Sequence, residues 1–96
     1  MKPYTGYIYR CSYNNVSYIG CTTDIENRKE EHKENKTNKF GRALEQYGYD
    51  NFKFEFLETI QFSEKQELYD IEDLYIIKYD SITNGYNTRR NCKDQL

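Results

Sequence analysis

The 96-residue sequence has no tryptophan, one proline, one histidine and three cysteines. A single histidine without paired cysteines excludes a zinc-finger site, because such sites need four Cys or His ligands. No apolar run approaches the roughly 20 residues that a membrane-spanning helix requires, so no membrane partner is expected. The odd cysteine count without a CxxC pair favours free thiols. We therefore expect an intracellular, reducing compartment.

Neither sign of charge dominates the chain, which has 14 Lys and Arg, 16 Asp and Glu, and a formal net charge of −2. A strong non-specific grip on nucleic acid normally requires a basic excess, although a local basic patch remains compatible with this balance. Aromatic residues make up 17% of the chain and bury large areas each. We predict one domain over residues 1–96, with a short polar tail at 88–96.

The first 20 residues predict a β-hairpin. Residues 6–11 and 16–20 are rich in aromatic and β-branched side chains, and they flank a turn at Asn14-Asn15. Asparagine tolerates the positive φ angles of tight hairpin turns. Tyrosine is common in strands for packing reasons alone. The alternation nevertheless brings three phenols into one small region: Tyr7, Tyr9 and Tyr18.

Residues 25–33 predict a helix that is capped at residues 23–24 and carries few apolar side chains. At about 100° per residue, Ile25, Arg28 and His32 fall within an arc of roughly 60°. Ile25 marks the inner face, so Arg28 and His32 also point inward. The inward arginine is explained either by a paired carboxylate or by a functional site.

The middle of the chain predicts a polar loop at 35–39, a helix at 40–47 that ends at Gly48, and a strand at 52–60. Arg42 lies off the apolar stripe of this helix and is either a DNA contact or a surface charge. The strand alternates, with Lys53 and Glu55 opposite a buried face of three aromatic residues: Phe52, Phe54 and Phe56.

A second long helix is predicted from about residue 64 to residue 79, with a capping box formed by Ser63 and Gln66. Its apolar stripe consists of Leu68, Ile71, Tyr75 and Tyr79. We expect Asp70 and Asp73 on the opposite, solvated side.

Glu72 falls in the middle of this apolar stripe. A lone buried carboxylate costs several kcal/mol in desolvation unless it is paired or binds a metal. Two explanations remain open at this point: a buried ion pair with Arg28, or a metal ligand.

The order of these features resembles that of the GIY-YIG nuclease family from Gly6 to Asn87. The matching parts are Tyr7-Ile8-Tyr9, Tyr18-Ile19-Gly20, Arg28, Glu72 and Asn84-Gly85-Tyr86-Asn87. One departure concerns the Gly-Ile-Tyr motif of the family. Gly6 lies one residue earlier than this motif would place its glycine, and Tyr7 occupies the glycine position. Tyr9 matches the motif's tyrosine.

The resemblance implies an α+β fold, with a small three-stranded antiparallel sheet flanked by three or more helices. It also implies a DNA endonuclease that depends on Mg²⁺ or Mn²⁺. Some members, such as homing endonucleases, carry a further DNA-recognition domain, so such a domain or a dimer partner is expected. The alternative is a catalytically inactive DNA-binding or protein-interaction domain that keeps the fold.

Carried over by position, the resemblance makes Glu72 the metal ligand, Arg28 the phosphate clamp, and Tyr9 and Tyr18 the active-site phenols. His32 matches a polar or aromatic active-site position. The expected substrate contacts are Asn87, Arg42 and Tyr7.

The chemistry of these side chains suits phosphodiester hydrolysis. Arginine presents a planar fork to phosphate oxygens, and one carboxylate suits a single-metal site. A free tyrosine has a pKa of about 10 and is a poor base unless positive charge lowers that pKa. We expect Tyr9 to be the general base with help from His32, and Tyr18 to orient water or phosphate.

Overall fold

The computed structural model describes residues 2–34 and 38–87. Its elements in chain order are β1 (Tyr4–Tyr13), β2 (Val16–Thr22), α1 (Ile25–Glu34), α2 (Lys39–Tyr47), β3 (Lys53–Phe62) and α3 (Lys65–Tyr79). A single 3-10 turn, Tyr49–Asn51, joins α2 to β3. The predicted tail at 88–96 and residues 35–37 of the predicted loop lie outside the described residues. Lys39, the last residue of that loop, begins α2 instead.

The three strands form one antiparallel sheet in the order β2-β1-β3. With α1, α2 and α3 beside it, this sheet confirms the predicted fold class. Asn14 and Asn15 have φ angles of 51° and 64°, so the β1–β2 turn uses the positive φ values that the sequence indicated. The hairpin register places Tyr9 opposite Gly20.

Apolar side chains form a separate core on each face of the sheet. The first core contains α3 and consists of Ile8, Ile19, Ile60, Phe62, Leu68 and Ile76. The second contains α2 and consists of Cys11, Phe40 and Leu44, with Tyr18 and Phe54 among the partly buried residues around it. Because successive strand residues point to opposite faces, Ile8 belongs to the first core and Tyr9 to the other face.

The predicted buried aromatic face of β3 is wrong in part. Phe56 is 56% exposed and Phe54 is only half-buried, whereas Ile60 and Phe62 are buried. The register between β1 and β3 shifts between Ile8 and Tyr9, which indicates a bulge in the pairing. β3 is also an edge strand, so Phe56 has a neighbouring strand on one side only.

The N-terminus of α3 is capped one residue later than predicted. Glu64, not Ser63, is the N-cap, and Glu67 completes the capping box in place of Gln66. The Glu67 carboxylate accepts backbone N–H bonds from Ser63 and Glu64, each at 2.8 Å. Glutamate can therefore replace both residues of the expected motif.

Asp73 is buried, which contradicts its predicted place on the solvated side of α3. At about 100° per residue, the buried arc of the helix is centred near Glu72 and extends to Asp73. The arc is wider than the apolar residues alone suggest. Leu74 and Ile77 lie outside it and are exposed.

Helix α1 contains no fully buried residue, so its inner face is less buried than expected. Ile25, Arg28 and His32 are nevertheless all half-buried, whereas Glu26 and Glu30 are exposed. The prediction that Ile25, Arg28 and His32 point inward is therefore confirmed.

Candidate active site

The β1–β2 hairpin positions two tyrosines from neighbouring strands. Tyr9 is 0% exposed, and its ring centroid lies 6.2 Å from that of Tyr18. A Cβ atom added at Gly20 would lie only 2.3 Å from the Tyr9 hydroxyl oxygen. Gly20 is therefore required because the phenol of Tyr9 lies directly over its backbone.

The Tyr9 hydroxyl is hydrogen-bonded to Nε2 of His32 at 2.7 Å, so β1 is joined to α1. Burial, aided by the nearby Arg28 charge, lowers the pKa of His32 to about 4. Burial and the neighbouring Tyr18 raise the pKa of Tyr9 above its ordinary value, against the opposing effect of Arg28. Both groups are therefore neutral near pH 7, and the tautomer of His32 decides which of the two donates the hydrogen bond.

Arg28 extends from α1 toward the same two tyrosines. Burial raises the pKa of Tyr18, and the Arg28 charge opposes this effect. One guanidinium nitrogen, Nη1, donates to Oε1 of Glu31 at 3.2 Å. Of the described residues, none accepts a hydrogen bond from the buried Nε of Arg28. The guanidinium of Arg28 therefore has one buried donor that the described residues leave unsatisfied.

Glu72 of α3 is 5% exposed, and its Oε1 has no hydrogen-bond partner among the described residues. Burial raises the pKa of this carboxyl to about 7. The Cys21 thiol opposes the shift through a hydrogen bond, Asp73 adds to it, and Arg28 opposes it. Within the described ranges, Arg28 pairs with Glu31 and forms no ion pair with Glu72. The alternative of a buried Arg28–Glu72 ion pair is therefore wrong.

Arg28 and Glu72 open into one cleft of about 420 Å³. Its wall consists of Tyr18, Cys21, Thr22, Thr23, Arg28, Glu31, Asn38, Lys65, Leu68, Tyr69, Glu72, Tyr86 and Asn87. Tyr9 and His32 do not line it. The structure thus brings three of the predicted catalytic residues to the cleft, and the rings of Tyr9 and His32 lie next to that of Tyr18 without lining it.

The donor set of the cleft suits one divalent ion. Within residues 2–34 and 38–87, no group of three or more His, Cys, Asp and Glu side chains is arranged to hold a metal. Mg²⁺ keeps several waters and is commonly held by one or two carboxylates together with substrate phosphates. The unpaired oxygen of Glu72 fits that requirement.

Asn87 lines the cleft, but its amide is already engaged by the backbone of Ile19. Its Oδ1 accepts from the Ile19 N–H and its Nδ2 donates to the Ile19 carbonyl, both at 2.8 Å. The backbone N–H of Tyr86 also donates to the Ser17 carbonyl at 2.8 Å. The structure therefore gives Asn87 the role of holding β2, and its contact with substrate stays a prediction.

The other two predicted substrate contacts lie away from the cleft wall. The ring of Tyr7 packs against Phe56 with centroids 5.8 Å apart, and Arg42 is exposed on α2. Their contacts with DNA stay predictions.

Two further residues line the cleft, Lys65 and Cys21. Sequence reasoning missed Lys65; it placed the loop around Cys21 near the substrate, by the family resemblance, but gave the thiol no role. Lys65 is the first residue of α3, and a boundary error of one residue hid its position. Cys21 directly follows Tyr18-Ile19-Gly20. Strand alternation from Ile19 was a usable signal that its side chain points toward α3.

An α+β domain that directs an unpaired carboxylate and an arginine into one cleft has the arrangement expected of a nuclease. The GIY-YIG catalytic domain family matches residues 3–87, and the chain belongs to that family. No curated protein matches the sequence. In the part of the chain that the structure describes, no helix is long and apolar enough to span a membrane.

Two solved structures similar to this chain are of the catalytic domain of one homing endonuclease, I-TevI. The first, of the intron endonuclease with one glutamate replaced by alanine, has a TM-score of 0.77 and 26% identity, covering 92% of this chain and 97% of that one. The second has a TM-score of 0.75 and 27% identity, covering 88% and 98%. The fold is therefore that of a homing endonuclease's catalytic domain.

Proposed function

We propose that this protein is a DNA endonuclease that hydrolyses phosphodiester bonds with one bound Mg²⁺ or Mn²⁺. The observation that carries the proposal is the buried Glu72 carboxylate, which lines the same cleft as Arg28 and has one oxygen without a partner among the described residues. A buried carboxylate oxygen without a partner costs free energy, and a divalent cation bound to it offsets that cost. The likeness to a homing endonuclease supports DNA as the substrate.

In this proposal Glu72 holds the metal ion, and Arg28 binds the phosphate. When bound, the ion supplies a Lewis acid for the phosphate and the leaving oxygen. Arg28 lines the cleft and presents its guanidinium to a phosphate oxygen, while its Nη1 donates to Glu31. A planar fork with fixed orientation favours the charge that develops on the phosphate in the transition state.

The two tyrosines have different roles in this proposal because they occupy different positions. Tyr18 lines the cleft and contacts water or phosphate. We assign proton acceptance to Tyr9 and His32: with Nε2 as the acceptor, the phenol takes a proton as it gives its own to Nε2. Because Tyr9 is 0% exposed and does not line the cleft, a local opening must first admit the attacking water to the phenol. A relay of this kind does not require a free phenolate, which the raised pKa of Tyr9 disfavours.

We further propose a reducing, intracellular location, since Cys11 and Cys21 are both free thiols. Sequence recognition is assigned to a further domain or a dimer partner, because the net charge of −2 provides weak attraction to DNA by itself.

Cleavage of supercoiled plasmid, with Mg²⁺ or with EDTA, tests the proposal. We expect Mg²⁺-dependent nicking by the wild type, and its loss in both Glu72→Ala and Arg28→Lys. The lysine keeps the charge but removes the fork and the Nε–H. A folded wild-type protein that binds DNA and never cleaves it, with Mn²⁺ also tried, would favour the inactive DNA-binding alternative.

A further inference from the structure

Cys21 is, among the described residues, the cysteine whose side chain lines the cleft. It follows Gly20 on β2 and lies on the α3 side of the sheet, as Ile19 does. Its thiol lies close enough to the Glu72 carboxyl for each group to affect the pKa of the other, and both residues line the cleft. A sulfur donor therefore lies beside the oxygen donor to which we assign the catalytic metal.

A second observation makes this pair a candidate ligand site. Glu72 is 5% exposed, lines the same cleft, and has an Oε1 without a partner among the described residues. Sulfur and oxygen donors select different ions: Mg²⁺ takes oxygen ligands, whereas thiolates favour softer ions. Zn²⁺ binds cysteine sulfur and carboxylate oxygen in tetrahedral sites, with waters able to complete the set. Cys21 thus adds nothing to Mg²⁺ binding but provides a second donor for a soft ion.

We propose that Cys21 and Glu72 together bind a thiophilic divalent cation such as Zn²⁺ or Cd²⁺, which displaces Mg²⁺ and inhibits cleavage. On binding, the ion replaces the proton of the thiol, which passes to the buffer. Metal bound through a thiolate carries less positive charge to the phosphate and occupies the carboxylate that Mg²⁺ needs. The binding rests on Cys21 and Glu72 alone, whereas the inhibition rests on the proposed function.

Cd²⁺ titration tests the binding without any measurement of activity, because cadmium–thiolate bonds absorb in the ultraviolet. We expect the wild type to bind one Cd²⁺ per chain, and Cys21→Ser to lose this absorption. Cys92→Ser is the matched control and should titrate as the wild type does. Glu72→Gln should keep the thiolate absorption, but this absorption should need at least roughly tenfold more Cd²⁺ to appear. An unchanged titration of Cys21→Ser, or loss of the signal in Cys92→Ser, would overturn the inference.

Cleavage assays then separate this inference from the proposed function. For each variant, inhibition by Cd²⁺ at fixed Mg²⁺ is expressed relative to that variant's own uninhibited rate. We expect half-inhibition of Cys21→Ser to need roughly tenfold more Cd²⁺ than that of the wild type. If the wild type and Cys21→Ser both cleave DNA with Mg²⁺ and Cd²⁺ inhibits both equally, the inference about Cys21 is overturned and the proposed nuclease function is not. Cd²⁺ binding through Cys21 in a wild type that never cleaves DNA supports the metal site and overturns the nuclease.

Discussion

Replacing Glu72 by glutamine should change how the stability of the folded protein depends on pH. Burial raises the pKa of this carboxyl from 4.5 to about 7. A group whose pKa is higher in the folded state contributes stability that is complete at low pH and is lost as the pH rises through the folded pKa. Glu72 therefore favours folding at pH 5 and opposes it at pH 8.

The size of the effect follows from the two pKa values. At about 1.36 kcal/mol per pKa unit, ionisation of Glu72 lowers the free energy of unfolding by about 2 to 3 kcal/mol between pH 5 and pH 8. Glutamine does not titrate, so the variant lacks this loss. His32, with its pKa lowered to about 4, acts in the opposite direction over the same range but equally in both proteins. The difference between wild type and variant isolates Glu72.

Urea denaturation at pH 5 and pH 8 in EDTA, followed by circular dichroism, measures this difference. Asp70→Asn, on the exposed side of the same helix, is the matched control and should follow the wild type. Added Mg²⁺ should restore stability at pH 8 to the wild type and not to Glu72→Gln, because binding compensates the ionised carboxylate. Parallel pH profiles of the wild type and Glu72→Gln would refute the reasoning that burial raises the pKa of Glu72.

Three further substitutions test the structure around the cleft, each by urea denaturation and by plasmid nicking. Tyr9→Phe removes the hydroxyl that is hydrogen-bonded to His32, so we expect a loss of about 1 to 3 kcal/mol in unfolding free energy and a loss of nicking; unchanged nicking would contradict the relay. Gly20→Ala brings a Cβ to 2.3 Å from the Tyr9 hydroxyl and should cost about 1 to 3 kcal/mol; wild-type stability would contradict this close approach. Asn87→Ala leaves the N–H and C=O groups of Ile19 unpaired, at about 1 to 3 kcal/mol for each; a change below 1 kcal/mol would contradict the role of Asn87 in holding β2.

The features that the sequence predicted well depend on local periodicity. The Asn14-Asn15 turn needs positive φ at both residues, and the structure has it. The position of Glu72 within an apolar stripe was sufficient to predict its burial, because helix geometry fixes which residues share a face. The inward direction of Arg28 and His32 follows from the same geometry.

The features that were missed depend on contacts between distant parts of the chain. The Asn87 amide binds the backbone of Ile19 across 68 residues, and no local pattern records this pairing. The burial of Asp73 depends on how much of α3 its neighbours cover, which polarity alone does not indicate. The exposure of Phe56 depends on the strand order, which places β3 at an edge.

The most direct test of a single-metal nuclease site at Glu72 is to measure Mn²⁺ occupancy and DNA cleavage in one titration. Electron paramagnetic resonance of free Mn²⁺ gives the number of ions bound per chain, and plasmid nicking is measured on the same samples. We predict one Mn²⁺ per chain in the wild type, nicking that rises in parallel with occupancy, and loss of both in a folded Glu72→Gln variant. Nicking by Glu72→Gln at the wild-type rate, or cleavage that does not follow Mn²⁺ occupancy, would contradict the account.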